Sequence, residues 1–260
     1  MKPFLFAAAA FYAAAFLTVI AYHLSKSGAL EKASRAALVL GLLAHTGGLI
    51  QRIASTGHAP MASMYETLVF FSWTTVLVSA IVVFRYAERE TELVTVPVSL
   101  LALFFALLNE KPGGPLTLIL RTRWFETHVT ASFAGYALFT LAFAGAAVYL
   151  VKRWKGAGPD ELKKFQDIAG KSILWGFFFF SAAMFAGAVW AYLAWGAYWL
   201  WEPKVIWSFI VWFYFAGAMH AWYVKQWRGT GLAIATIIGF IVVLFTYLGV
   251  SLLMKSSHSF

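Results

Sequence analysis

Eight apolar runs of about 16 to 23 residues follow one another along the chain with polar intervals between them, and nothing else in the sequence constrains the fold as tightly. A helix needs roughly 20 apolar residues to cross about 30 Å of hydrocarbon, and inside a bilayer only a helix or a closed barrel satisfies its own backbone. The runs at 4–22, 36–53, 67–85, 93–108, 129–151, 172–194, 205–224 and 232–253 therefore predict an all-α integral membrane protein, a bundle of about eight transmembrane helices. The first run follows Lys2 and has the look of a signal peptide, but its apolar stretch is long for that role and it is read as a span. Pro97 falls near the start of the fourth span, in the first turn, where its missing N–H does little harm. The longest polar intervals, 109–127 and 152–171, are read as loops. None can bury a core of its own, so residues 1–260 are read as a single polytopic membrane domain.

A formal charge of +9 raises the question of nucleic acid, but no basic run is interleaved with exposed aromatics on a polar segment, and nucleic-acid binding is excluded. Excess Lys and Arg have a topological meaning in a membrane protein. Thirteen of the 20 basic residues fall in the intervals after the first, third, fifth and seventh spans, among them Lys26, Arg35, Arg89, Lys152, Lys164, Lys225 and Arg228. This bias predicts both termini outside, although Arg121 and Arg123 run against it. The outer surface then carries the 54–66 loop, the start of the fifth helix at His128, the 195–204 loop and the tail at His258. Within 152–171, Pro159-Asp160-Glu161 resembles a helix start, which predicts an amphipathic segment on the inner face. Cysteine is absent, so any thiol chemistry belongs to a partner.

The histidines sort by depth. His45 lies in the second span, about 15 Å beyond Arg35, and His220 in the seventh, about 7.5 Å before Lys225. Polar side chains at such depth are costly and face the protein interior. They serve either an interhelical hydrogen bond or a metal or haem site, for which neutral imidazole is a good iron donor. His128 and His258 bound the outer ends of the fifth and eighth spans. One histidine at a helix end is ordinarily solvated, but two flanking a tryptophan-rich loop suit the paired axial donors of low-spin haem. His23 reads as a plain loop residue.

That loop runs Trp195-Gly196-Ala197-Tyr198-Trp199-Leu200-Trp201-Glu202-Pro203-Lys204, with Trp190 and Tyr192 before it and Trp207 and Trp212 after it. Interfacial belts account for one or two tryptophans at a helix end. Three within seven residues, broken by Gly and closed by Pro, fit a platform for haem or another large flat ligand better than a belt. Gly196 permits close approach, Pro203 suits the first turn of the seventh helix, and Lys204 offers a cation near propionates.

The same stretch resembles the WWD signature of the cytochrome c biogenesis haem-handling proteins, and its acid-Pro-Lys ending resembles the CcsA/ResC type of System II. His45-Thr46-Gly47-Gly48-Leu49-Ile50-Gln51-Arg52, then Gly57-His58-Ala59-Pro60 and Tyr65-Glu66, are similar to that family's second helix and following loop. His128-Val129 and Ser257-His258-Ser259 fall where its external histidines stand, so the likeness covers roughly residues 40 to 260. The resemblance implies that His128 and His258 are axial ligands of an external haem b held at Trp195, Gly196, Tyr198, Trp199, Trp201, Glu202, Pro203, Lys204 and Trp207. It implies that His45 and His220 belong to an inner haem site. It also implies transport of haem across the membrane and its presentation, reduced, for thioether attachment to the Cys-x-x-Cys-His segment of apocytochrome c. The expected partners are a ResB/CcsB-type membrane protein, with which the chain forms a holocytochrome c synthase, a thioredoxin-like thiol reductant, and membrane lipid. The expected location is a bacterial-type cytoplasmic membrane or a thylakoid membrane, with the tryptophan loop on the extracytoplasmic side. Glu202 replaces the usual aspartate, and Val205 stands where a second acid often follows; both leave the aromatics and histidines intact but touch partner or propionate contacts.

Two other readings compete. A membrane b-type cytochrome carrying electrons from quinol also suits His45 and His220, but it needs no exposed aromatic platform. A transporter of another flat organic ligand has no use for four histidines.

Overall fold

The computed structural model describes residues 1–254, and among these every regular element is a helix. The helices are α1 (Lys2–Ser25), α2 (Gly28–Thr56), α3 (Met64–Tyr86), α4 (Glu92–Leu108), α5 (Arg123–Trp154), α6 (Pro159–Trp195), α7 (Pro203–Tyr223), α8 (Thr230–Leu244) and the short α9 (Val250–Leu253). Residues Phe245–Gly249 join α8 to α9 as one π-helical turn. Seven segments are long and apolar enough to cross a membrane, with α8, the π turn and α9 forming the last, Thr230–Leu253. The 17 residues of α4 give about 25 Å, at the short end of what spans. The expected set of about eight apolar helices is therefore present, and the chain is an integral membrane protein.

Most of the helices overrun their apolar runs at both ends, and three readings change with them. The interval 152–171 contains only a four-residue connection, because α5 continues to Trp154 and α6 begins at Pro159. Pro159 occupies the first turn of α6, with Asp160 and Glu161 beside the positive end of the helix dipole. Hydropathy marks where hydrocarbon ends, not where a helix ends: at 32 and 37 residues, α5 and α6 run about 48 and 55 Å. At the other end, the hydroxyl of Thr122 caps α5 by accepting from Phe125 N at 3.1 Å. His128 thus sits in the second turn of its helix instead of opening it. Pro97 stands six residues into α4, past the first turn, behind a start tightened by the Val94 N–Thr91 O bond of 3.1 Å.

The chain forms two compact units, Met1–Leu120 and Arg121–Phe260. In the first, α1 runs antiparallel to α2, with Tyr12 against Gly41 and Leu5 against Gly48. Helices in lipid gain little from apolar burial against one another, so small residues and interhelical hydrogen bonds carry the association. Ser72 meets Ser99 and Ser79 meets Thr95 between α3 and α4, each pair at 2.7 Å. Polar clusters close both ends of the unit. At one, Arg52 pairs with buried Glu66 at 2.7 Å and donates to Lys111 O at 3.1 Å. At the other, Arg89 pairs with Glu92 at 2.5 Å and donates to Ser34 Oγ at 2.8 Å.

In the second unit α5 and α6 form a long antiparallel hairpin against which α7 and α8 pack. The hairpin closes tightly where Gly135 faces Gly176: a Cβ on Gly176 would lie 2.7 Å from the Phe139 ring. Phe139 stacks on Phe215 of α7 at 3.7 Å, and Phe143 on Phe240 of α8 at 4.7 Å. These stacks join α5 to α7 and α8, and Phe139 also meets Phe180 of α6 edge-on at 6.1 Å.

Candidate functional site: an aromatic cleft with a histidine wall

Helix α6 stops at Trp195 because Gly196 takes a left-handed backbone, φ 75°, and its N–H closes the helix on Tyr192 O at 2.8 Å. The chain then crosses in six residues to Pro203, which starts α7 behind Glu202, whose carbonyl accepts from Ile206 N at 3.0 Å. Gly196, Glu202 and Pro203 thus set the path of the loop. A chain that turns so sharply brings the tryptophans of α6 and of the loop to one place.

Between them opens a cleft of about 710 Å³, mouth included. One wall is a stripe on α5, His128, Ser132 and Tyr136, spaced four residues apart so that all three share a face. The opposite wall is Ala183, Gly187 and Trp190 of α6, and the rim is Trp195, Tyr198 and Trp199, with Lys204 and Ser208 of α7 behind. The rings brace one another. Trp190 stacks on His128 with centroids 6.2 Å apart and planes 18° apart, and meets Trp195 edge-on at 4.9 Å. Tyr192 and Tyr198 stack at 4.6 Å, while Trp199 and Trp201 both lie on Phe209 of α7, at 4.9 and 5.6 Å. Trp201 is 71% exposed. Trp207 packs away from the cleft, against Phe245 of the π turn at 4.5 Å. Trp212 donates from Nε1 to Ser181 Oγ at 2.8 Å.

His128 is held by a hydrogen bond between Nδ1 and Ala183 O, 2.8 Å long. A carbonyl only accepts, so Nδ1 carries the proton and the neutral ring keeps its lone pair on Nε2. Metal-bound histidines are oriented in this way. Lys204 borders the cleft, but its ammonium is turned to the π turn and α9, donating to Tyr247 O at 3.1 Å and Ser251 Oγ at 2.8 Å. The π turn supplies that carbonyl. Such turns disturb the helix ladder and recur at functional sites.

His258 lies outside the described residues. His45 belongs to the first unit, fully buried, with its Nδ1 3.2 Å from Tyr12 OH on α1. That is the interhelical hydrogen bond one of its two readings expects, although the ring's Nε2 is buried with no hydrogen-bond partner among the described residues. His220 belongs to the second unit, exposed on α7 about 25 Å from Pro203, edge-on to Trp227 at 5.8 Å. Ser132, Tyr136, Phe180 and Gly187 go unmarked by sequence reading. The signal for the first two was the four-residue stripe continuing from His128; the α6 pair has no comparable mark.

Fold and site together define a polytopic helical membrane protein whose second unit holds a cleft lined by stacked aromatics and an oriented histidine. The chain belongs to the cytochrome C assembly protein family, whose model matches residues 61–258. It is 27% identical to the cytochrome c biogenesis protein CcsA of Agrostis stolonifera, over 90% of this chain and 87% of that protein. Identity to the CcsA of Guillardia theta is 31% over 80% and 79% of the two chains, and to that of Chlamydomonas reinhardtii 32% over 82% and 64%. Among solved structures, the cytochrome c heme lyase CcmF shares the fold with a TM-score of 0.72 at 18% identity. The match covers 98% of this chain and 46% of that one, so the chain spans less than half the length of CcmF.

Proposed function

We propose that this chain carries haem b across the membrane and presents it, reduced, in the aromatic cleft for covalent attachment to apocytochrome c. The observation that carries this reading is His128: an imidazole committed by the Ala183 carbonyl to offer Nε2, in a cleft walled by parallel and edge-on aromatic rings. A flat apolar macrocycle with a metal at its centre asks for that donor set, and the residues fit it. His128 and His258 are the axial donors, Trp195, Tyr198, Trp199 and Trp201 provide ring contacts, and Lys204 brings its charge to the border of the site. Gly196, Glu202, Pro203 and Trp207 shape the loop. His45 and His220 serve an inner haem before it reaches the cleft.

The tryptophan loop then faces the extracytoplasmic side of a bacterial-type cytoplasmic or thylakoid membrane, where apocytochrome c arrives. Bound haem supplies vinyl groups to the reaction. Each substrate thiol adds its S–H across a vinyl double bond, forming one C–S and one C–H bond with no net oxidation. The chain has no cysteine to compete for that step. A ResB/CcsB-type partner completes the synthase, and a thioredoxin-like reductant keeps the substrate thiols free. The CcsA relatives are named for cytochrome c biogenesis and CcmF is named a cytochrome c heme lyase, which agrees with this role.

The test is the absorption spectrum of detergent-purified protein beside four histidine variants. Haem lost or turned high-spin in His128→Ala and His258→Ala supports presentation at the cleft. Haem indifferent to those two changes but lost with His45→Ala and His220→Ala favours an electron-carrying b-type cytochrome. Protein free of haem after haem-replete expression ends the proposal.

A further inference from the structure

Resting on the haem reading, we propose that Gly187 is the positioning residue of the cleft: its missing side chain exposes the Ala183 carbonyl that orients His128. In an α-helix the carbonyl of residue i points toward residue i+4, so the side chain at 187 would stand over Ala183 O. A Cβ built on Gly187 lies 2.5 Å from His128 Nδ1 and 2.8 Å from Cε1, well inside van der Waals contact. With glycine there, the imidazole lies against bare backbone and Nδ1 reaches Ala183 O at 2.8 Å. The carbonyl's second lone pair accepts this bond beside the helical one. Trp190, three residues further along the same face, stacks on the ring and fixes its plane. Ring plane, proton position and donor atom are thus all set by one helix, and any L side chain at 187 unsets them.

The consequence for iron is specific. A histidine that donates Nδ1–H to a carbonyl is a more basic ligand at Nε2, and losing such an outer contact typically weakens metal binding by about 10- to 100-fold. A more basic axial ligand favours ferric iron, so removing the contact raises the midpoint potential.

The experiment compares wild type, Gly187→Ala, His128→Ala and Gly217→Ala, the last having nothing within 4 Å of an added Cβ and serving as the control for glycine replacement in a helix. Haem-stripped proteins in detergent are titrated with hemin while the Soret band and spin state are followed, and the midpoint potential is measured. Gly187→Ala is expected to bind about 10-fold or more weakly, to show a high-spin fraction that added imidazole converts back, and to have a raised potential. Gly217→Ala stays as wild type. Wild-type affinity, spin state and potential in Gly187→Ala, with His128→Ala still impaired, overturn this inference and leave the haem reading intact. An unaffected His128→Ala overturns the haem reading itself. Should Gly187→Ala not fold, ¹⁵N-histidine spectra of haem-free wild type decide. The resonance that disappears in His128→Ala is expected to be a protonated Nδ1, and an unprotonated Nδ1 there sinks the proposal.

Discussion

The ammonium of Lys204 and the hydroxyl of Ser251 lie 2.8 Å apart, tying the first turn of α7 to α9 beyond the π turn. The same ammonium holds Tyr247 O at 3.1 Å and lies 5.7 Å over the Tyr247 ring. A lysine at the mouth of a cleft would ordinarily be counted as a cation for the ligand. Here its geometry is that of a tie between helices. Lys204→Met is therefore expected to lower stability by about 1.5–3 kcal/mol, the scale of a hydrogen bond to a charged group. Ser251→Ala removes one of the two acceptors and is expected to cost about 0.5–1.5 kcal/mol. Detergent melting of the two variants checks both, and equal melting of Lys204→Met and wild type refutes the tie.

The Arg52–Glu66 pair in the first unit makes a sharper stability prediction. Its side chains are only 11% and 2% exposed, and Glu66 also accepts from Ala62 N at 2.7 Å. Removing one partner of a buried pair leaves the other charge uncompensated, so Arg52→Ala and Glu66→Ala are each expected to cost about 3–5 kcal/mol. The double variant Arg52→Met/Glu66→Leu is expected to be far closer to wild type than the sum of the two. Purification yield and melting in a double-mutant cycle measure it; additive losses contradict the pairing.

Trp201 separates binding from folding. It lies 71% exposed on Phe209, so Trp201→Ala removes little interior packing and melting is expected to hold. Losing one aromatic contact to a flat ligand is worth about 0.5–1.5 kcal/mol, roughly a 2- to 10-fold weaker hemin titration. A matching fall in melting temperature would show the ring to be structural instead.

How much of this was legible in the sequence follows from what each signal reports. Apolar runs give the existence of the spans, because lipid demands them, but they stop at the hydrocarbon edge. Residues 159–171 therefore read as part of a polar interval with a helix start at Pro159, although they are the first turns of the spanning helix α6 itself. The loop 195–204 is legible because no structural need accounts for so many tryptophans around a Gly and a Pro. His128 is legible from its chemistry, yet its mode of support is not. A glycine on a membrane helix most often serves close packing, as Gly135 and Gly176 do, and nothing local tells Gly187 from them. The role of Lys204 was likewise hidden, since it depends on the Tyr247 carbonyl of a π turn, 43 residues away in the chain.

The proposed function depends above all on the orientation of the chain in the membrane. The structure gathers Ser34, Glu31 and Arg89 at one end of the first unit, and Arg52, Lys111 and Glu66 at the other. The basic bias of the intervals predicts which of these ends faces the cytoplasm. The absence of cysteine makes a direct measurement simple, since a single introduced thiol is the only one in the chain. Leu118, 82% exposed in the interval after α4, is expected on the extracytoplasmic side, and exposed Lys155 between α5 and α6 on the cytoplasmic side. In intact cells a membrane-impermeant maleimide should label Leu118→Cys at once and Lys155→Cys only after permeabilisation. The reverse pattern would put the tryptophan loop in the cytoplasm, away from any exported apocytochrome, and the presentation role would fall with it.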